Sequence, residues 1–137
     1  MLRELREDGT LVVVDMEASP EHLARSTAEA VEQMLVVAEP WFRSLETARR
    51  SVALAAGLGI PTVRVVANKL RDAADRDAVE AFCARHGMEL AGAVPHDEGL
   101  ADAERAGAAP GRAGPAVRAI GLLLDRVLDP AAQTSSW

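Results

Sequence analysis

Short apolar runs alternate with helical patterns along this chain, and this alternation limits the possible folds more than any other feature. The runs are continuous and rich in Val, which is typical of strands buried on both faces. They cover residues 11–15, 34–38, 62–67 and, more weakly, 89–94. The stretches between them are long enough for right-handed helical crossovers. The sequence therefore predicts an α/β fold with a mostly parallel sheet of about four strands flanked by helices.

Start and stop signals place the helices between these runs. Helices are predicted over residues 21–33, 44–58 and 75–85, and a last one from Gly114-Pro115 to Pro130. Ser44 is the candidate N-cap of the second helix, and Gly87 follows the third as a candidate left-handed stop. The Ala-, Gly- and Pro-rich residues 106–114 read as a mobile loop. We expect one domain over residues 1–130 and a flexible tail over residues 131–137.

Composition and charge exclude several classes of function. The chain has 137 residues, a formal net charge of −6 and a pI near 5.0, which disfavours nucleic acid and anionic membranes as partners. No apolar run approaches the roughly 20 residues of a membrane span, and the charged first residues do not resemble a signal peptide. We therefore expect a cytoplasmic protein. The single cysteine, Cys83, is predicted to be a buried core thiol. The three histidines are scattered along the sequence, and no metal-chelating set is evident.

Polar residues follow three of the predicted strands. Asp15 ends the first run, Asn68-Lys69 follow the third, and Pro95-His96-Asp97 follow the fourth. Since the carboxyl ends of parallel strands meet at one edge, these groups should share the edge where open α/β folds bind ligands. An Asp there can hold a magnesium-bound water or merely cap a turn. An Asn-Lys pair can read a purine edge or simply be solvated in a loop.

Four motifs follow one another along the chain: Asp15-x-x-Ala18-Ser19, Glu39-Pro40 with Arg43-Ser44-x-x-x-Ala48, Ala67-Asn68-Lys69 and Val94-Pro95-His96-Asp97. As a set they resemble the CooC-type carbon monoxide dehydrogenase maturation ATPases. This family belongs to the MinD/ParA/nitrogenase-iron-protein group of P-loop NTPases, which have the SIMIBI-type fold. The resemblance runs from about residue 10 to residue 126.

The resemblance implies ATP and magnesium as cofactors and assigns roles to individual residues. Asp15 would hold the magnesium through water, and the turn at Ala18-Ser19 would present a backbone N–H to the γ-phosphate. Asn68, with Lys69 beside it, would contact the adenine, while Pro95 and Asp97 would flank the base and ribose. In one departure, Ser19-Pro20 stands where the family usually has Gly, which restricts a turn that must move.

The sequence also lacks the phosphate loop of the family, Gly-x-x-x-x-Gly-Lys-[Ser/Thr], and its Cys-x-Cys metal pair. The resemblance therefore implies the C-terminal half of such an ATPase, inactive by itself. The expected partners are a missing N-terminal half or a second copy of the chain, and carbon monoxide dehydrogenase. The alternative is a non-enzymatic interaction module that uses Trp41-Phe42 to bind a partner.

In the family the phosphate-loop strand lies between the strands equivalent to residues 11–15 and 34–38. Without it, the two strands must pair directly, or another polypeptide must supply the missing one, since unpaired backbone inside a sheet is costly.

Overall fold

The computed structural model describes residues 11–16 and 31–128. Its sheet has three parallel strands in the order β1 (Gln33–Ala38), β2 (Thr62–Leu70) and β3 (Leu90–Pro95). β2 is central, and it pairs over its first six residues with the whole of β1. All three strands therefore run the same way, and the α/β fold class predicted from the sequence is confirmed.

Four helices in the described ranges pack around this sheet: α1 (Phe42–Gly57), α2 (Ala73–Arg85), α3 (Glu98–Arg105) and α4 (Pro115–Leu128). α1 and α2 cover one face, where Val65 of β2 and Val79 of α2 are fully buried. The opposite face of β2 and β3 is covered by α4 through Ala116 and Leu123. Cys83 is buried on α2 as predicted, and burial raises the pKa of its thiol. None of the helices in these ranges is long and apolar enough to cross a membrane.

The helix boundaries confirm most of the sequence signals and correct one. α2 ends before Gly87, whose φ of +63° is the left-handed conformation predicted for it. The prediction that Ser44 caps α1 is wrong, because the helix begins earlier and Trp41 is its N-cap. The Ser44 hydroxyl instead accepts a hydrogen bond from the backbone N–H of Glu39, at 3.0 Å. Ser44 thus ties the first turn of α1 to the end of β1.

The predicted first strand is also wrong. Residues 11–16 have no regular secondary structure, and the Val13 side chain is 81% exposed. An extended segment becomes a strand only when a neighbour satisfies its N–H and C=O groups, and this segment pairs with none of the three strands. Of the predicted helix over residues 21–33, residues 21–30 lie outside the described residues, residues 31 and 32 are not helical, and Gln33 begins β1 instead. The predicted tail also lies outside the described residues.

β1 has a strand neighbour on one side only, within the ranges the structure describes. Direct pairing between residues 11–15 and β1, one of the two outcomes expected for the sheet, is not formed. Leu35 and Val37 are partly exposed on the face of β1 away from α1, whereas Val36 is buried against α1 and α2. Adjacent residues of β1 thus have opposite environments, as the alternation of a strand requires.

This alternation gives a matched pair of substitutions. Val36→Lys would place an unpaired ammonium in the core and should lower the free energy of unfolding by roughly 3–5 kcal/mol or prevent folding. Val37→Lys, at a side chain that is 60% exposed, should change it by no more than about 0.5 kcal/mol. Urea unfolding followed by circular dichroism measures both. Equal losses from the two variants would contradict the described faces of β1.

Candidate functional site at the carboxyl edge of the sheet

The carboxyl ends of the three strands lie side by side. Ala38 of β1 is in register with Ala67 of β2, and Leu70 of β2 with Pro95 of β3. The backbone N–H of His96 donates to the carbonyl of Leu70 at 2.8 Å, which extends the pairing beyond the end of β3. Asn68, Lys69, Pro95 and Asp97 therefore reach one edge, as the strand pattern predicted, and Glu39 joins them from the end of β1. The ligand contacts assigned to them by resemblance stay predictions.

An ion pair links the ends of β1 and β2. The Nζ of Lys69 lies 2.8 Å from Oε1 of Glu39, and the indole N–H of Trp41 donates to Oε2 at 3.2 Å. The hydrogen bond from Lys69 lowers the pKa of Glu39, and the same contact raises the pKa of Lys69. The side chain of Lys69 is 57% exposed and that of Glu39 is 36% exposed. The ion pair should therefore contribute only about 0.2–1 kcal/mol to the free energy of unfolding. Its effect is therefore chiefly on geometry.

Lys69 sits in a β-bulge at the end of β2. Three residue steps from Ala67 to Leu70 face two steps of β3, from Ala93 to Pro95, so β2 has one extra residue. The φ of Lys69 is +58°, and it is the one non-glycine residue in the described ranges with a positive φ. This conformation costs a lysine roughly 1–2 kcal/mol relative to glycine. Such bulges redirect side chains out of the regular ladder.

The amide of Asn68 is held by this bulge. Its Oδ1 accepts a hydrogen bond from the backbone N–H of Lys69 at 2.9 Å. No other hydrogen bond to its amide is found in the described part of the chain. The side chain is half-buried, at the edge of the sheet, with Nδ2 left as a donor. This arrangement can bind a planar group that offers an acceptor.

Asp97 has a structural role that sequence reasoning missed. Its Oδ1 accepts from the backbone N–H of Gly99 at 3.0 Å, as the N-cap of α3, and its Oδ2 accepts from that of Ala116 at 3.2 Å. One carboxylate thereby joins the first turns of α3 and α4. The predicted contact of Asp97 with a ribose is untested. The signal for the cap was an Asp directly before the start of a short helix.

Glu39 and Arg71 are further groups at this edge that the sequence did not single out as site residues. The Arg71 guanidinium lies 5.9 Å from the centre of the Trp41 ring, within the range of a cation–π contact. His96 Nε2 is 3.1 Å from Oε1 of Glu98, and this hydrogen bond is the main cause that lowers the pKa of Glu98. The available signal was position, since Glu39 directly follows β1 and Arg71 directly follows β2.

The residues predicted to bind magnesium and the γ-phosphate are not brought together at this edge in the described residues. Asp15 is exposed within residues 11–16, which do not join the sheet, while Ala18 and Ser19 lie outside the described residues. Among the residues that the structure does describe, no three His, Cys, Asp or Glu side chains are grouped as metal ligands. The described residues at this edge thus do not form a set of magnesium ligands.

Comparison with curated proteins identifies relatives by sequence. The chain is 40% identical over 100 residues to the carbon monoxide dehydrogenase accessory protein CooC of Rhodospirillum rubrum, covering 70% of this chain and 36% of CooC. It is also 40% identical over 95 residues to the uncharacterized ATP-binding protein MJ0823 of Methanocaldococcus jannaschii, covering 69% of this chain and 37% of that protein. The chain thus spans less than two fifths of either relative. No protein-family model matches it.

Comparison with solved structures identifies the fold. The MinD cell division protein of Aquifex aeolicus superposes with a TM-score of 0.62 at 23% identity, covering 74% of this chain and 45% of MinD. A chain of the MinC:MinD cell division protein complex of the same organism gives a TM-score of 0.58 at 21% identity, covering 77% of this chain and 47% of that chain. The resemblance to CooC-type ATP-binding proteins and the MinD-like P-loop NTPase fold, both predicted from the sequence, are confirmed. The partial coverage fits a match to one half of such a protein.

The Asp97 contact predicts a glycine requirement at the start of α4. Gly114 has a φ of +150°, and a Cβ added there would lie 2.5 Å from Oδ2 of Asp97. Gly114→Ala should therefore lower the free energy of unfolding by roughly 1–3 kcal/mol. Gly111→Ala is the control, because its Cβ would meet Ala113 at an ordinary 3.8 Å. Thermal unfolding measures both. A Gly114→Ala protein as stable as the control would contradict the described contact of Asp97 with the first turn of α4.

Proposed function

We propose that this chain, a relative of the CooC-type ATP-binding proteins, recognises the adenine base of ATP at the carboxyl edge of its sheet. The observation that carries the proposal is the half-buried Asn68 amide, presented by the bulge at the end of β2. ATP-binding proteins among the relatives support a nucleotide as the ligand. The position also fits the general rule that open α/β sheets bind ligands at the carboxyl ends of their strands.

The chemistry of Asn68 suits adenine. An asparagine amide can donate from Nδ2 to N7 and accept the exocyclic N6–H at Oδ1. Oδ1 already accepts one bond from Lys69, and its second lone pair is available for N6. Base contacts alone give weak binding, because phosphates supply much of the affinity for a nucleotide in P-loop proteins. We expect magnesium-independent binding in the high micromolar to millimolar range.

Hydrolysis, in this proposal, requires groups beyond the described edge. Positioning and charge stabilisation by a phosphate loop and its lysine supply most of the catalysis in this class, and the 137 residues contain no such motif. We infer that the chain is inactive until a complementary phosphate-binding segment is present. Asp15 would then act as the magnesium–water ligand, with the Ala18-Ser19 turn at the γ-phosphate. By analogy with the accessory protein CooC, we propose a role in nickel insertion into carbon monoxide dehydrogenase.

A second candidate is a non-enzymatic interaction module. Trp41 and Phe42 are 51% and 73% exposed, so they do not pack beneath α1. They lie next to the end of β1, whose outer edge has no strand neighbour in the described residues and whose Val37 is also exposed. Exposed aromatic side chains concentrate binding energy at protein interfaces. Nucleotide titration separates this candidate from the first.

The test is calorimetric titration of the chain with ADP and GDP in the absence of magnesium. We expect ADP to bind, and Asn68→Ala to weaken it roughly tenfold, since a bidentate amide–base contact contributes about 1–3 kcal/mol. Glu80→Gln, on the exposed face of α2, is the matched surface control and should leave binding unchanged. No ADP binding at millimolar concentration would overturn the proposal and favour the interaction module. Equal losses of ADP and GDP affinity in Asn68→Ala would contradict the adenine assignment.

A further inference from the structure

The Glu39–Lys69 ion pair is linked to the Asn68 amide through the backbone N–H of Lys69. Resting on the proposed function, we propose that Glu39 and Lys69 are positioning residues that fix which way round the Asn68 amide faces, and thereby make the site prefer adenine to guanine. Neither needs to touch the nucleotide for this.

The first step is the orientation of the amide. The backbone N–H of Lys69 donates to Oδ1 of Asn68 at 2.9 Å. Turning the amide over would place its NH₂ group against that N–H, two donors facing each other, and the hydrogen bond would be lost. The bond therefore sets the order in which oxygen and nitrogen are presented at the edge of the sheet.

The second step is the difference between the two purines. Adenine offers an acceptor at N7 and a donor at N6, which match Nδ2 and the remaining lone pair of Oδ1. Guanine has acceptors at both N7 and O6, so its O6 would face Oδ1, oxygen against oxygen. An amide free to rotate could turn Oδ1 aside and keep one bond to guanine. An amide fixed by the hydrogen bond from Lys69 cannot rotate in this way. The fixed orientation therefore weakens the binding of guanine more than that of adenine.

The third step is what holds Lys69. A bulge residue with positive φ is usually glycine, yet here it is lysine, with φ +58°. Its ammonium is anchored 2.8 Å from Glu39. Glu39 is itself fixed by the Trp41 indole at 3.2 Å and through its backbone N–H by Ser44 at 3.0 Å. The end of β1 thus fixes the bulge in β2, and the bulge directs the N–H that orients Asn68.

The experiment is a double-mutant cycle with Glu39→Gln, Lys69→Met and both together, in the otherwise native chain. The ratio of GDP to ADP dissociation constants should fall roughly two- to fivefold in each single variant, the range for an exposed ion pair. The double variant should fall no further, because each change breaks the same contact. Lys69→Arg keeps the cation and should retain the ratio. Glu80→Gln, which breaks the comparable exposed pair with Arg76, should also leave it unchanged.

A second readout needs no nucleotide. Hydrogen exchange of the Lys69 backbone amide should be slowed by its bond to Asn68 and should accelerate by a similar roughly two- to fivefold factor in Glu39→Gln and Lys69→Met. Asn68 is the sole asparagine of the chain, so selective ¹⁵N-asparagine labelling gives its side-chain amide signals without overlap. These signals should shift in the same two variants and not in Glu80→Gln.

The outcomes separate this inference from the proposed function. If the native chain binds ADP but Glu39→Gln and Lys69→Met keep the native ratio, the inference is wrong and the proposed function stands. Faster amide exchange with an unchanged ratio would likewise overturn it, since the pair would then stabilise the bulge alone. Additive losses in the double variant would also overturn it, because the two residues would then act separately and not through one contact. If the native chain binds neither nucleotide, both proposals fail.

Discussion

The parallel pairing of β2 between β1 and β3 is the constraint on which the rest of the structure depends. Because both neighbours run in the direction of β2, all three carboxyl ends open on one edge. The alternation of β2 residues sends Val65 to the core under α1 and α2, and Val66 to the core under α4. A one-residue shift of β2 would exchange these two cores and turn the Asn68 side chain to the opposite face of the sheet. The register therefore fixes both the packing and the candidate site.

The same edge combines regular packing with local irregularity. The strands are paired up to their last residues, and at this edge β2 departs from the regular ladder at the bulge of Asn68 and Lys69. The cost of the left-handed lysine is of the same order as the contacts that oppose it, the Glu39 ion pair and the Asn68 hydrogen bond. Strain retained where a side chain is presented is common at functional sites. Here it presents groups suited to a base, while groups for phosphate are not assembled in the described residues.

Sequence patterns predicted the elements whose formation depends on local signals. The runs at β1, β2 and β3 were recognisable because continuous apolar, Val-rich residues favour strands, and Gly87 marked the end of α2. The expectation that the β1 run is buried on both faces was wrong, because Leu35 and Val37 are exposed. The prediction of a strand over residues 11–15 was wrong. The residues have the apolar pattern of a strand, but no neighbouring strand pairs with them in the described residues. α3 was missed because its eight residues have no buried member, so no apolar period marked it. Contacts such as Glu39–Lys69 join residues 30 apart and depend on the register, which the sequence does not display.

We propose that a purine nucleotide binds at the carboxyl edge of this sheet. The most direct measurement is the map of backbone amide chemical-shift changes in the native chain as ADP is added to saturation. We expect the largest changes at the three strand ends, around Glu39, Asn68-Lys69 and His96, with little change at the opposite edge near Thr62 and Leu90. Saturable shifts centred on the opposite edge, or on the exposed faces of α2 with the strand ends unchanged, would contradict it.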